Sequence, residues 1–283
     1  MLVPRFVSGR PGAPYPQHLR PSTAVFVVDV VLARRTSGSE HRTPLPYRRD
    51  VSDDSRDPAH LDPLVQVAQP DHPDAIAEAR AAAGRAIRDL GHALVGHHAP
   101  IALLDEVTER LDHLTATLSG GDRRSRAESR RDGQWGEPPD DGAVMSTYDE
   151  RPVSGRASPW GLDIEVRRDG DEAVCTVTLR AAHEGAPGRS HGGIVAALFD
   201  DVFGFVLAIM STSAFTGELG IRYEAGVPIG VPLECRVRLV GRERRKLFMT
   251  GELTDTALGR VVARSTATFI SIDRDQFLNG TSG

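Results

Sequence analysis

Two adjacent carboxylates, Asp200 and Asp201, sit inside a run that is otherwise apolar from Gly193 to Met210. A carboxylate in such company is costly unless it is paired or hydrogen-bonded. Successive helical residues point about 100° apart. At most one of the two can therefore face a cleft, while the other needs a cap, a partner or solvent. The one in the cleft could act as a base on water or attack a carbonyl directly. Nine positions before Asp200 stands His191, followed by Gly192 and Gly193 at the start of the same run. Glycine lets the backbone approach a ligand closely, and free amides at a helix start suit a developing negative oxygen.

These residues need elements to hold them. The helix read at about 193–210 is apolar nearly all round, which marks it as buried. Before it, Leu162, Ile164 and Val166 alternate with polar residues, and a second strand-like run surrounds Val174, Thr176 and Thr178. The turn Arg168-Asp169-Gly170-Asp171 lies between these two runs. After the helix, strands are predicted at 216–225, 232–240, 246–254 and 260–272, each bounded by Gly, Pro or Asp. Strand, strand, buried helix and four strands specify an α+β domain: an antiparallel sheet wrapped around a central helix. Upstream, residues 74–118 carry apolar positions at spacings of three and four, interrupted at Gly96–Pro100, and read as an N-terminal helical hairpin. Residues 119–144 read as a linker and 274–283 as a tail. Residues 1–73, rich in Pro, Arg, Asp and Ser, read as mostly disordered.

The whole chain limits the function classes. A net charge of −5 over 283 residues argues against a protein that coats nucleic acid, so no nucleic-acid partner is expected. The apolar run at 24–32 is a poor signal peptide, because Asp29 interrupts it and Arg34-Arg35 follow. No stretch is read as a membrane span, so no membrane partner is expected and the cytoplasm is the expected location. Cys175 and Cys235 lie in apolar strands and are expected to be buried thiols. His72, His92, His97, His98 and His113 lack metal-ligand spacing, so no metal is expected. The charged run from Arg242 to Lys246 falls between two strands and reads as a solvated hairpin tip. No phosphate loop or dinucleotide fingerprint is visible.

Residues 184–204, EGAPGRSHGGIVAALFDDVFG, resemble the signature of PaaI-like hotdog thioesterases of the 4-hydroxybenzoyl-CoA thioesterase superfamily. RPVSGRASPWG at 151–161 is similar to that family's opening Ser-Pro-Val-x-Gly-x-x-Asn-Pro, with Ser158 where Asn is usual. TGELGIRYEAGVPIG at 216–230 resembles its strand with Thr, then Arg-Tyr, then Pro. The likeness covers about 145–273.

It implies a hotdog fold that hydrolyses an acyl-CoA thioester to acid and CoA without a cofactor. It also implies a homodimer or homotetramer with each active site at a protomer interface. By this resemblance Asp200 is the catalytic acid residue, as base or as nucleophile, whereas Asp201 falls where the family varies. Gly192, with Gly193 beside it, would polarise the carbonyl, and His191 would shape that loop. Thr216 would orient the water or the carboxylate. Arg244, Arg245 and Lys246 would reach the phosphates of CoA, and the apolar helix and sheet would line an acyl tunnel.

Two other classes compete. A non-catalytic acyl-CoA sensor would pair a hotdog domain with an N-terminal helix-turn-helix, but the predicted helices are long and their charge is mixed. A hotdog hydratase would need a His five residues beyond the Asp, and that position is Phe205.

Overall fold

The computed structural model describes residues 25–29, 73–124, 138–145 and 147–272. Most of the N-terminal region, the middle of the linker and the C-terminal tail lie outside these residues. Val25–Asp29 (β1) forms an edge strand where the sequence reading placed no element. Two helices follow, Pro73–Gly96 (α1) and Ile101–Ser119 (α2). The C-terminal domain then runs Glu165–Asp169 (β2), Glu172–Thr178 (β3), Glu184–Ala186 (β4), Arg189–Ser190 (β5), Gly192–Ile209 (α3), Ala214–Tyr223 (β6), Pro232–Glu243 (β7), Lys246–Asp255 (β8) and Arg260–Ser271 (β9).

Among the described residues the main sheet has seven strands in the order β1-β6-β9-β8-β7-β3-β2. Every neighbouring pair is antiparallel. The helix α3 packs on this sheet, chiefly against β7, β3 and β6. Phe199 and Phe203 of α3 are fully buried, and Phe203 meets Phe269 of β9 edge-on at 6.1 Å. Each such aromatic contributes roughly 1.5–3 kcal/mol by leaving water. Cys175 and Cys235 face each other in the β3–β7 register as buried free thiols. Contact between them and full burial push the Cys235 thiol well above its ordinary pKa.

Two sequence expectations need correction. By length and hydropathy α3 does qualify as a membrane span, with 18 residues at mean hydropathy 1.9. Its apolarity is taken up by the sheet it lies on. The first strand also starts later than Leu162. Asp163 has a φ of 52° and bonds the Arg88 guanidinium, so the extended run breaks there and pairing begins at Glu165.

The N-terminal helices differ in how they pack. On α1, Arg88 and His92 are buried against the C-terminal domain. Arg88 donates to the carbonyls of Arg156 and Ser158, and His92 Nδ1 accepts the Ala182 N–H at 3.0 Å. No residue of α2 is buried, and Leu104, Leu111, Leu114 and Leu118 of its stripe are exposed.

Candidate active site

The mid-helix carboxylates part company. Asp201 is buried, and its Oδ1 accepts Arg151 Nε at 2.6 Å. A second Arg151 nitrogen donates to the Asp201 carbonyl at 2.6 Å, and the guanidinium lies over the Phe205 ring, 4.6 Å from its centre. Gly204 makes room for this, because a Cβ there would run into Arg151. Asp200 is exposed instead. Its Oδ1 accepts the Thr216 hydroxyl at 2.7 Å. The register of β6 on β9 shifts between Thr216 and Glu218. Such bulges re-aim side chains beside functional sites.

The helix start forms a second cluster. His191 caps α3, its Nδ1 accepting the Gly193 N–H at 3.0 Å. The Gly193 amide is therefore occupied, and Gly192 is the amide left at the tip. The backbone behind the loop is pinned as well, since His191 N–H donates to the His183 carbonyl at 2.8 Å. His183 is buried, accepts the Arg180 N–H at 3.0 Å on Nδ1, and meets His92 edge-on at 4.6 Å. Burial, then the neighbouring His92 and Arg180, push its pKa down to about 4.

The sequence-predicted residues thus fall into two groups. Asp200 joins Thr216, while His191, Gly192 and Gly193 gather at the helix start. Eight residues of helix at about 1.5 Å each put roughly 12 Å along the axis between Gly192 and Asp200.

The basic hairpin lies on the Asp200 side. Lys246 pairs with Ile270, which pairs with Phe215 next to Thr216. That places Lys246 about 10 Å across the sheet, two strand spacings away. Arg244 and Arg245 form the exposed turn, with Arg245 Nε bonding the Ser271 carbonyl at 2.9 Å.

The cavity of about 760 Å³ between α1 and the segment 144–166 touches Arg88, Thr147 and Phe205 but none of these site residues. The expected acyl tunnel is not that cavity.

The bonds made by three residues escaped the sequence reading. Arg151 holds Asp201, and Ser158 donates to the Pro152 carbonyl at 2.7 Å. Tyr223 donates to the Gly192 carbonyl at 2.7 Å. All three lie in the motifs quoted above. Their partners are 50, 6 and 31 positions away, so no local spacing announces them.

Residues 188–262 match the family model of the thioesterase superfamily. Acyl-coenzyme A thioesterase THEM5 of Mus musculus is 27% identical over 105 residues, which is 37% of this chain and 42% of that protein. The Homo sapiens protein of the same name is 28% identical over the same length. The chain thus spans under half the length of these curated relatives. A crystal structure of a thioesterase superfamily protein superposes with a TM-score of 0.57 at 22% identity, covering 68% of this chain and 94% of its own. That likeness shows the fold, and it covers more of the chain than the C-terminal domain alone. The C-terminal domain therefore has the hotdog fold, and residues 188–262 within it match the thioesterase superfamily.

Proposed function

We propose that the chain is an acyl-CoA thioesterase whose active site is shared between two copies. One observation carries this reading: an exposed carboxylate, Asp200, is held by the Thr216 hydroxyl at 2.7 Å on a helix otherwise built for burial. Thioester carbonyls are weakly resonance-stabilised and carry a good leaving group, so one carboxylate and one oxyanion site suffice. Asp200 removes a proton from an attacking water, or attacks the carbonyl itself to give an anhydride that water then opens. The Gly192 amide receives the charge that develops on the carbonyl oxygen. The C–S bond breaks and CoA leaves as its thiol.

The helix rise supports a shared site. Reacting and stabilising atoms must each lie about 3 Å from a single carbonyl group. Gly192 and Asp200 of one chain are roughly 12 Å apart along α3, too far to serve one thioester. A second copy would bring its Gly192 loop to the first copy's Asp200. The same pairing would close the acyl tunnel, and the Arg244-Arg245-Lys246 hairpin would meet the phosphates.

The test is thiol release from a panel of acyl-CoAs by the wild type and Asp200→Ala. Turnover that falls by about 10²–10⁴ in the variant, the range for a lost acid–base group, supports the reading. Tight binding of an acyl-CoA without turnover by the wild type would overturn it in favour of a sensor.

A further inference from the structure

We infer that Tyr223 is a positioning residue for the oxyanion loop, and that it sets His191 with its proton on Nε2. The Tyr223 hydroxyl donates to the Gly192 carbonyl at 2.7 Å, from the last residue of β6 to the first of α3. That carbonyl shares its peptide group with the Gly193 N–H, which donates to His191 Nδ1 at 3.0 Å. The order is therefore hydroxyl, peptide, imidazole, each donating to the next.

Hydrogen bonds in such a chain polarise one another, so the Gly193 N–H is a stronger donor because its carbonyl is itself bonded. A neutral imidazole that accepts on Nδ1 carries its proton on Nε2. The exposed ring of His191 then presents a fixed N–H donor beside the Gly192 amide.

Two features make Tyr223 more than a packing residue. Burial raises its pKa, which keeps the phenol protonated as a donor. The contact is also tight, since a Cβ on Gly192 would stand 2.8 Å from the hydroxyl oxygen and 3.2 Å from the ring carbon that bears it. The glycine at position 192 thus follows from Tyr223 as well as from the substrate. A bare methyl there would push the hydroxyl off the carbonyl or rotate the peptide that aims the loop.

The proposal rests on the thioesterase reading in its kinetic arm, while its spectroscopic arm stands apart from activity. Removing a whole oxyanion donor costs about 10²–10³ in kcat. Removing the bond that aims one should cost about tenfold, so Tyr223→Phe is expected to lower kcat about tenfold with KM changed less than twofold. Gly192→Ala should do less damage in the Tyr223→Phe background than in the wild type, because the hydroxyl it would strike is gone.

Nitrogen NMR of 15N-histidine protein, with His191→Gln to assign the signal, should show His191 as the Nε2–H tautomer. In Tyr223→Phe it should show a mixture. An Nδ1–H tautomer in the wild type overturns the proposal without any variant. So does an unchanged kcat or an unchanged imidazole pattern in folded Tyr223→Phe. If the wild type hydrolyses no thioester, the functional reading falls, and the imidazole pattern alone decides the role of Tyr223.

Discussion

Asp200 and Asp201 are chemically identical neighbours on one helix, yet one is exposed against Thr216 and the other buried against Arg151. The same division recurs at the helix start, where His191 is exposed on the loop and His183 is buried behind it. In each pair the buried member bonds another segment and holds it in place, Asp201 through Oδ1 alone, since its buried Oδ2 has no partner. The exposed member is held by a single side-chain bond and is free to meet a ligand. Titratable residues near a site therefore divide by what satisfies them, and their sequence positions alone do not sort them.

The largest effect should come from removing the buried member of the carboxylate pair. Asp201→Ala leaves Arg151 partly buried without its partner, and breaking such a pair costs about 3–5 kcal/mol. Urea midpoints should show this loss, with kcat per folded molecule close to wild type. A stable variant with no activity would reverse the roles assigned to the two aspartates.

His183 sharpens the comparison through pH. Its folded pKa of about 4 lies below the ordinary 6.5, so between those values the unfolded chain binds more protons. Stability contributed by neutral His183 is then complete above about pH 6.5 and falls as pH drops toward 4. The shift corresponds to about 3 kcal/mol at most. His92 is displaced in the same direction, chiefly by burial, and adds to the loss. Stability curves of His183→Gln should be flatter over this window, and an unchanged pH slope would mean that His183 is not held neutral.

The smallest effect tests the hold on Asp200. Thr216→Ala should reduce kcat by about tenfold, the worth of one hydrogen bond to a charged group, while Thr216→Ser should retain most activity. Equal losses in both would show that the hydroxyl is not what matters.

Much of the fold was legible because its signals are periodic and local. The nearly all-apolar run of α3 read as a covered helix, and β6 to β9 kept their predicted positions within a few residues. The start of β2 was not legible, because it depends on Arg88 reaching Asp163 from 75 positions away. The edge strand β1 was equally hidden, since its partner lies almost two hundred residues on. At the site, the pairing of Asp200 with Thr216 followed from the motif resemblance. The Arg151 and Tyr223 bonds did not, because they are contacts between segments that carry no mark of each other. The roughly 12 Å between Gly192 and Asp200 was implicit in their eight-residue spacing, but it gained meaning only once α3 was a regular helix throughout.

The most direct test of the shared active site is a mixing experiment. Asp200→Ala and Gly192→Val are each inactive in this account, and they should be combined under conditions that exchange subunits. If one copy supplies Asp200 and the other Gly192, half of a randomly paired mixture is mixed dimers, each with one intact site. Activity should then return to about a quarter of wild type, given the full loss expected from each variant. A mixture that exchanges subunits yet stays as inactive as its parents would contradict the shared site.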